Sequence, residues 1–179
     1  MNEKMLSLEA LTERCRRLQA QGQRIVLTNG CFDLLHVGHV RSLRRARALG
    51  DALVVALNSD DSVRAFKGPG RPIVPEQRRA EVLAALACVD YVTTFGEPMA
   101  DRVVAALRPQ VYVKGGDYAG CRKAVPEAEL VASYGGLIVF LDVEPGASTT
   151  DIIDTILRRE RDGLLAPAMV EAGVHGQCR

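Results

Sequence analysis

The stretch Arg24–Arg41, RIVLTNGCFDLLHVGHVR, constrains this chain more than any other. It opens with an apolar run, Ile25 to Leu27, that reads as a buried strand, and Asn29-Gly30 then favours a turn. From Gly38 to Leu49 the residues Val40, Leu43, Ala46 and Leu49 recur about every three positions, the period of a helix with one face on a core. Strand, glycine turn and helix in succession leave backbone N–H groups at the helix start pointing into the turn, where an anion can sit. His36 and His39 lie three apart at that helix start and face the same way at helical spacing. Imidazoles in such a place can donate hydrogen bonds to phosphate oxygens. A zinc site would need a third ligand, and no Glu or Cys stands at helical spacing to supply it.

The rest of the chain repeats the same grammar. Leu8, Leu11, Cys15 and Leu18 mark an opening helix, capped by Ser7 and ended by Gly22. Ala52–Leu57 is continuous in apolar residues, as a parallel strand covered on both faces should be. It ends at Asn58-Ser-Asp60, where open α/β sheets put ligand contacts. Asp60 also suits the cap of a short helix, Asp61 to Phe66, and both roles are open. Lys67-Gly-Pro-Gly-Arg-Pro-Ile-Val-Pro75 reads as a basic loop whose Lys67 and Arg71 could reach the phosphate of a second substrate. Pro75 opens a helix with Val82, Leu83 and Leu86 as its apolar stripe, followed by a strand over Val89–Thr94 and a helix over Met99–Leu107. Val111–Tyr118 returns to strand and glycine turn: Lys114 lies at the strand end, and Gly115-Gly116 lets backbone approach a ligand. A helix over Glu127–Tyr134 and a strand over Leu137–Leu141 come next. Ser148, Thr149 and Thr150 then precede a helix with Ile152, Ile153, Ile156 and Leu157. One of those hydroxyls caps the helix, and three exceed what a cap needs.

This alternation predicts an α/β, Rossmann-like open parallel sheet with helices on both faces and a site at the strand C-termini. With 179 residues the chain is long enough for one domain, residues 1–160, leaving 161–179 as a weakly ordered tail with a short apolar stretch, Leu164–Val170. A net charge of +1 supplies no global field for nucleic acid or membrane, and 4% aromatic content disfavours a stacking surface for single strands. The basic residues are local: Arg44, Arg45 and Arg47 form a solvated helix face, whereas Arg41 lies within a turn of the phosphate site. Five scattered cysteines without a C-x-x-C pair fit reduced thiols in a cytoplasm. Cys31 reads as a small residue packed in a tight turn. The first residues carry acidic groups and no signal-peptide core, and no run is long enough to cross a membrane.

Gly30-Cys-Phe-Asp-Leu-Leu-His-Val-Gly-His39 resembles the G-x-F-D-x-x-H-x-G-H signature of the cytidylyltransferase-like nucleotidyltransferases. The similarity continues through Asn58-Ser-Asp60, Lys67–Pro72, Val113–Tyr118 and Ser148–Thr150, spans roughly Leu8 to Arg158, and within that family is similar to the adenylyltransferase half of bifunctional ADP-heptose synthases. The resemblance implies transfer of the AMP part of ATP to a sugar 1-phosphate, heptose 1-phosphate, with release of pyrophosphate. It implies His36, His39 and Lys67 as the catalytic set. Thr28, Asn29, Gly30, Cys31, Phe32, Gly38, Lys114, Gly115, Gly116, Asp117, Ser148, Thr149 and Thr150 would hold the nucleotide, and Asn58, Asp60, Arg71 and Arg41 the acceptor. No acidic cluster suits a dedicated metal site, so Mg²⁺ is expected to arrive with ATP. The expected partners are ATP and a sugar 1-phosphate, with no nucleic acid and no membrane, and a homodimer as the oligomeric option. The bifunctional relatives carry a sugar kinase ahead of this half; with none ahead of it here, a separate enzyme is expected to supply the sugar phosphate. Two rival readings are a CTP-dependent transferase acting on a polyol or amine phosphate, and a nucleotide-binding module without catalysis.

Overall fold

The apolar run at 52–57 becomes the strand β2 (Ala52–Asn58), buried at every position. Its neighbours are β1 (Ile25–Gly30), β3 (Tyr91–Phe95), β4 (Val111–Gly115) and β5 (Leu137–Leu141), all parallel, in the order β3-β2-β1-β4-β5. The computed structural model describes residues 3–115, 125–142, 144 and 146–165. Side chains alternate across the sheet, so each strand feeds two cores. Ile25, Leu27, Val54 and Tyr112 face one side; Val26, Leu53, Val55 and Val113 face the other.

The helices divide by the direction of chain travel. From β1 to β2 to β3 the chain moves one way, and α2 (Val37–Arg47) and α4 (Glu76–Ala85) pack Leu43, Ala46, Ala80 and Leu83 on one face. It then returns past β1 to β4 and β5, so α5 (Asp101–Leu107) and α6 (Ala128–Ser133) lie on the opposite face with Val103, Val104 and Val131. Right-handed crossovers require this exchange of face. The opening helix α1 (Leu8–Ala20) joins the second face through Leu11 and Cys15. Ser7 caps it, accepting from the Ala10 N–H at 3.2 Å. Ahead of it, Met5 bridges to Val92 in parallel, which prolongs the sheet edge by a pairing not visible in the sequence. The reversal of strand order opens a crevice between the C-terminal ends of β1 and β4.

Several boundaries differ from the sequence reading. β1 continues through Asn29-Gly30 rather than turning there, and β3 is Tyr91–Phe95 rather than Val89–Thr94. The short helix α3 spans Asp60–Lys67, with Ser59 and not Asp60 as its cap: Ser59 Oγ accepts from the Ser62 N–H at 3.1 Å. Lys67 is therefore the last residue of a helix, and the loop begins at Gly68, φ 89°. Val82 is 47% exposed and leaves the apolar stripe of α4, where Arg79 is buried instead. The last helix, α7 (Thr149–Arg161), takes in Arg161, which the sequence reading assigned to the tail. Residues 166–179, most of that tail, lie outside the described residues, as do Gly116 and Asp117. No helix among the described residues is long and apolar enough to cross a membrane.

Candidate active site

The chain between β1 and α2 is bent hard. Phe32 and Leu34 both adopt left-handed backbone, φ 46° and 47°, which non-glycine residues seldom do. Asp33, between them, holds the bend. Its carboxylate is withdrawn from solvent and accepts from the Ile73 N–H at 2.9 Å, the Val74 N–H at 3.0 Å and Arg71 Nε at 2.7 Å. Burial raises its pKa, but the two backbone donors and the Arg71 guanidinium outweigh burial and hold it below the usual carboxylate range. The Asp33 carbonyl accepts from Thr149 Oγ1 at 2.7 Å, which fastens the start of α7 to the same bend.

His36 is the N-cap of α2 and His39 lies in its first turn. Their rings stack with centroids 3.8 Å apart and planes 30° off parallel, and the Phe32 ring lies 5.3 Å from His39. His39 Nδ1 accepts from the His36 backbone N–H at 3.4 Å. Burial, His36 and Lys67 push the His39 pKa down to about 4, and burial also lowers that of His36. His39 is therefore neutral at neutral pH. With Nδ1 accepting, its proton stays on Nε2, which can donate. His36 Nδ1 is buried without a partner among the described residues.

A second helix start meets the first. A Cβ on Gly38 would stand 3.0 Å from the His36 ring and 3.1 Å from the Ala147 carbonyl oxygen, a tight fit, so glycine eases the close approach of α2 to the segment leading into α7. Ser148 caps α7, its Oγ accepting from the Asp151 N–H at 3.0 Å. Helices α2 and α7 thus bring two N-termini, and two positive dipole ends, to one place. Lys67 is exposed and close enough to His39 to lower its pKa.

The structure redistributes other residues. Arg71 is spent on Asp33. Arg41 and Arg45 both pair with Glu144, on the approach to α7. Asn58 is buried and donates to Ser62 Oγ at 3.0 Å, while Asp60 pairs with Arg79 at 2.7 Å. Four residues read as acceptor contacts therefore have protein partners already. Thr28 is buried and donates to the Val113 carbonyl at 3.0 Å, a tie between strands. The resemblance implies Lys114 as a nucleotide contact, but it is turned inward: 6% exposed, it pairs with Glu127 at 3.2 Å and donates to Asn29 Oδ1 at 3.1 Å. Gly30 lies against the Phe32 ring, 3.1 Å from its own would-be Cβ, whereas among the described residues a Cβ on Gly115 would meet Ser42 Oγ at an ordinary 3.6 Å. Burial pushes the Cys31 thiol up, as befits a packed residue and not a nucleophile. Thr150 is exposed in the first turn of α7.

Sequence reasoning missed Arg79, the role of Asp33, and Glu127. Arg79 is 2% exposed and donates to the carbonyls of Cys31, Val74 and Asn58 as well as to Asp60. A signal existed: Arg79, Leu83 and Leu86 fall on one helix face, and a charge on an apolar stripe needs partners. Among the described residues, no three His, Cys, Asp or Glu side chains gather as a metal site requires.

Residues 27–155 match the cytidylyltransferase-like family. The chain belongs to that family. It is 50% identical over 155 residues to the bifunctional protein HldE of Syntrophotalea carbinolica, an alignment covering 87% of this chain and 31% of that protein. It is 46% identical over 152 residues to the bifunctional protein HldE of Vibrio cholerae, covering 85% and 32%. The chain thus spans about a third of the length of these curated relatives. Among solved structures it is similar to the lipopolysaccharide core biosynthesis protein of Thermoplasma volcanium, at 28% identity and TM-score 0.54 over 69% of this chain and 98% of that one. It shares its fold with the pantoate-beta-alanine ligase of Francisella tularensis, at 15% identity and TM-score 0.58 over 87% and 77%.

Proposed function

We propose that this chain is a nucleotidyltransferase that joins the AMP part of ATP to a sugar 1-phosphate, heptose 1-phosphate by the relatives it resembles, with release of pyrophosphate. The observation that carries the reading is the stacked pair of His36 and His39 at the meeting of two helix N-termini. An oxygen of the sugar phosphate attacks the α-phosphorus of ATP, the bond to the bridging oxygen breaks, and its electron pair leaves on pyrophosphate. Such a displacement asks the protein for positioning and charge stabilisation. His39 is neutral and donates one N–H through Nε2; the fixed positive ends of α2 and α7 and the ammonium of Lys67 supply the charge. Ser148, Thr149 and Thr150, at the start of α7, are assigned to the triphosphate tail. Mg²⁺ enters as part of the substrate, Mg·ATP, held by phosphate and water.

The reading includes a cytoplasmic enzyme, supported by unpaired thiols at Cys15, Cys31 and Cys88. It includes a homodimer, which the exposed Ile156 and Leu157 of α7 support and sedimentation velocity tests. The functional test is pyrophosphate release from each of the four nucleoside triphosphates against a set of sugar 1-phosphates. ATP with heptose 1-phosphate should be preferred. Turnover of CTP more than about tenfold faster would mean a barrier lower by over about 1.4 kcal/mol and would replace the donor. ATP binding without turnover of any sugar phosphate would leave a nucleotide-binding module.

A further inference from the structure

A buried polar cluster sits under the crevice between β1 and β4. Tyr112 is fully buried, Lys114 is 6% exposed and Glu127 1%. Glu127 accepts from the Ala100 N–H at 3.2 Å and pairs with Lys114, so the start of α5 and the end of β4 share one carboxylate. Burial lowers the Lys114 pKa and the neighbouring Glu127 opposes that effect. Withdrawing such groups from water is costly, and Asn29, half-buried at the end of β1, joins the cluster to the crevice.

Asn29 Oδ1 accepts from Tyr112 Oη at 2.8 Å and from Lys114 Nζ at 3.1 Å. A lysine ammonium has only donors, so the atom facing it must be the amide oxygen. With both lone pairs of that oxygen engaged, the amide cannot turn over. Its Nδ2, with two N–H groups, has no partner among the described residues. This happens at the penultimate residue of β1, where ligands of open α/β sheets are met.

We propose that Asn29 presents its side-chain amide N–H groups to a phosphate oxygen of a substrate in the crevice between β1 and β4, in an orientation imposed by Tyr112 and Lys114. The proposal rests on the nucleotidyltransferase reading above. It makes Asn29 a substrate contact, Tyr112 and Lys114 positioning residues acting through it, and Glu127 the counter-charge that keeps Lys114 in place. The phosphate belongs either to ATP or to the sugar phosphate.

The discriminating variant is Asn29→Asp. An aspartate keeps both acceptor bonds, and strengthens the one to Lys114, but turns an anionic oxygen toward the crevice in place of two donors. If Asn29 served only to satisfy Tyr112 and Lys114, the variant would be at least as stable as the parent and as active. The expected result is an undiminished melting temperature with kcat/KM reduced by about 10²-fold, the scale of one preorganised donor. The substrate whose KM rises more identifies the phosphate. Tyr112→Phe, which loses only the hydroxyl, should reduce kcat/KM less, and adding it to Asn29→Ala should cost nothing further, because it acts through the missing amide. Should Asn29→Asp fail to fold, Asn29→Ala decides the case by the same loss. A folded Asn29 variant with parental kcat/KM for both substrates overturns the proposal while the parent's turnover upholds the reading beneath it. A parent that neither binds nor turns over Mg·ATP overturns both.

Discussion

His36 and His39 stack ring on ring, 3.8 Å between centroids, at the first turn of α2. His39 is buried and has the His36 imidazole set against it, and both effects oppose its protonation, while burial opposes that of His36. The pair therefore contributes N–H donors and not a pair of cations, and positive charge in the site comes from helix ends and Lys67.

Replacing either histidine by alanine should lower kcat by roughly 10²–10³-fold, the cost of one preorganised donor. KM for ATP should shift much less, because the donors meet charge that gathers in the transition state. Steady-state kinetics on each variant, with circular dichroism as the folding control, checks this. A folded His39→Ala enzyme with parental kcat would remove the pair from the chemistry.

The same burial has a signature in stability. His39 titrates near pH 4 when folded, against an ordinary 6.5. Above pH 6.5 neither state is protonated at this residue. As pH falls from 6.5 toward 4 the unfolded chain takes up the proton first, so the folded state loses stability across that window. His39→Asn should flatten this part of the stability curve, read by urea unfolding at several pH values. An unchanged slope would contradict the buried neutral imidazole.

Lys67 stands exposed at the end of α3, so Lys67→Ala should leave the melting temperature alone. The kcat/KM for the sugar phosphate should fall at least about tenfold, the scale of one lost charge-assisted hydrogen bond of about 1.5–3 kcal/mol. Parental kcat/KM would sink the assignment.

Gly38→Ala tests the approach of the two helix starts. The added methyl meets the His36 ring at 3.0 Å and the Ala147 carbonyl at 3.1 Å, so the ring must give by a few tenths of an ångström. A displacement of about 1 Å at a reacting group can cost about 10²-fold in rate. Kinetics should register a loss smaller than that, with far-UV circular dichroism unchanged. Full activity would mean that the approach to α7 yields freely.

Arg79→Met should be the structural lesion. It strips donors from three carbonyls and leaves Asp60 without its partner, at a residue only 2% exposed. The expected loss is about 3–5 kcal/mol of unfolding free energy, the range for breaking one side of a buried pair. An unmoved urea midpoint would show that the loops hold without it.

Much of this was legible in the chain itself. The apolar run at 52–57, the strand and helix on either side of residues 31–36, and the hydroxyls ahead of α7 are local patterns, and local patterns set period, caps and turns. They sufficed for the parallel sheet and for the place of His36 and His39 at the start of α2. What the tertiary structure decided is the pairing of charges. Arg71 reads from sequence as a loop cation free for a ligand, and it is bound to Asp33, 38 residues away. Lys114 reads the same way and is buried against Glu127, whereas Arg79, which the sequence reading passes over, is the most connected arginine among the described residues. The reason is physical. Helix and strand follow from neighbours within a few residues, but a side chain's partner and its exposure to water depend on which segments the sheet topology brings together. The neutrality of His39 belongs to the same class: its pKa is set by burial and by the ring stacked on it, and both exist only in the folded chain.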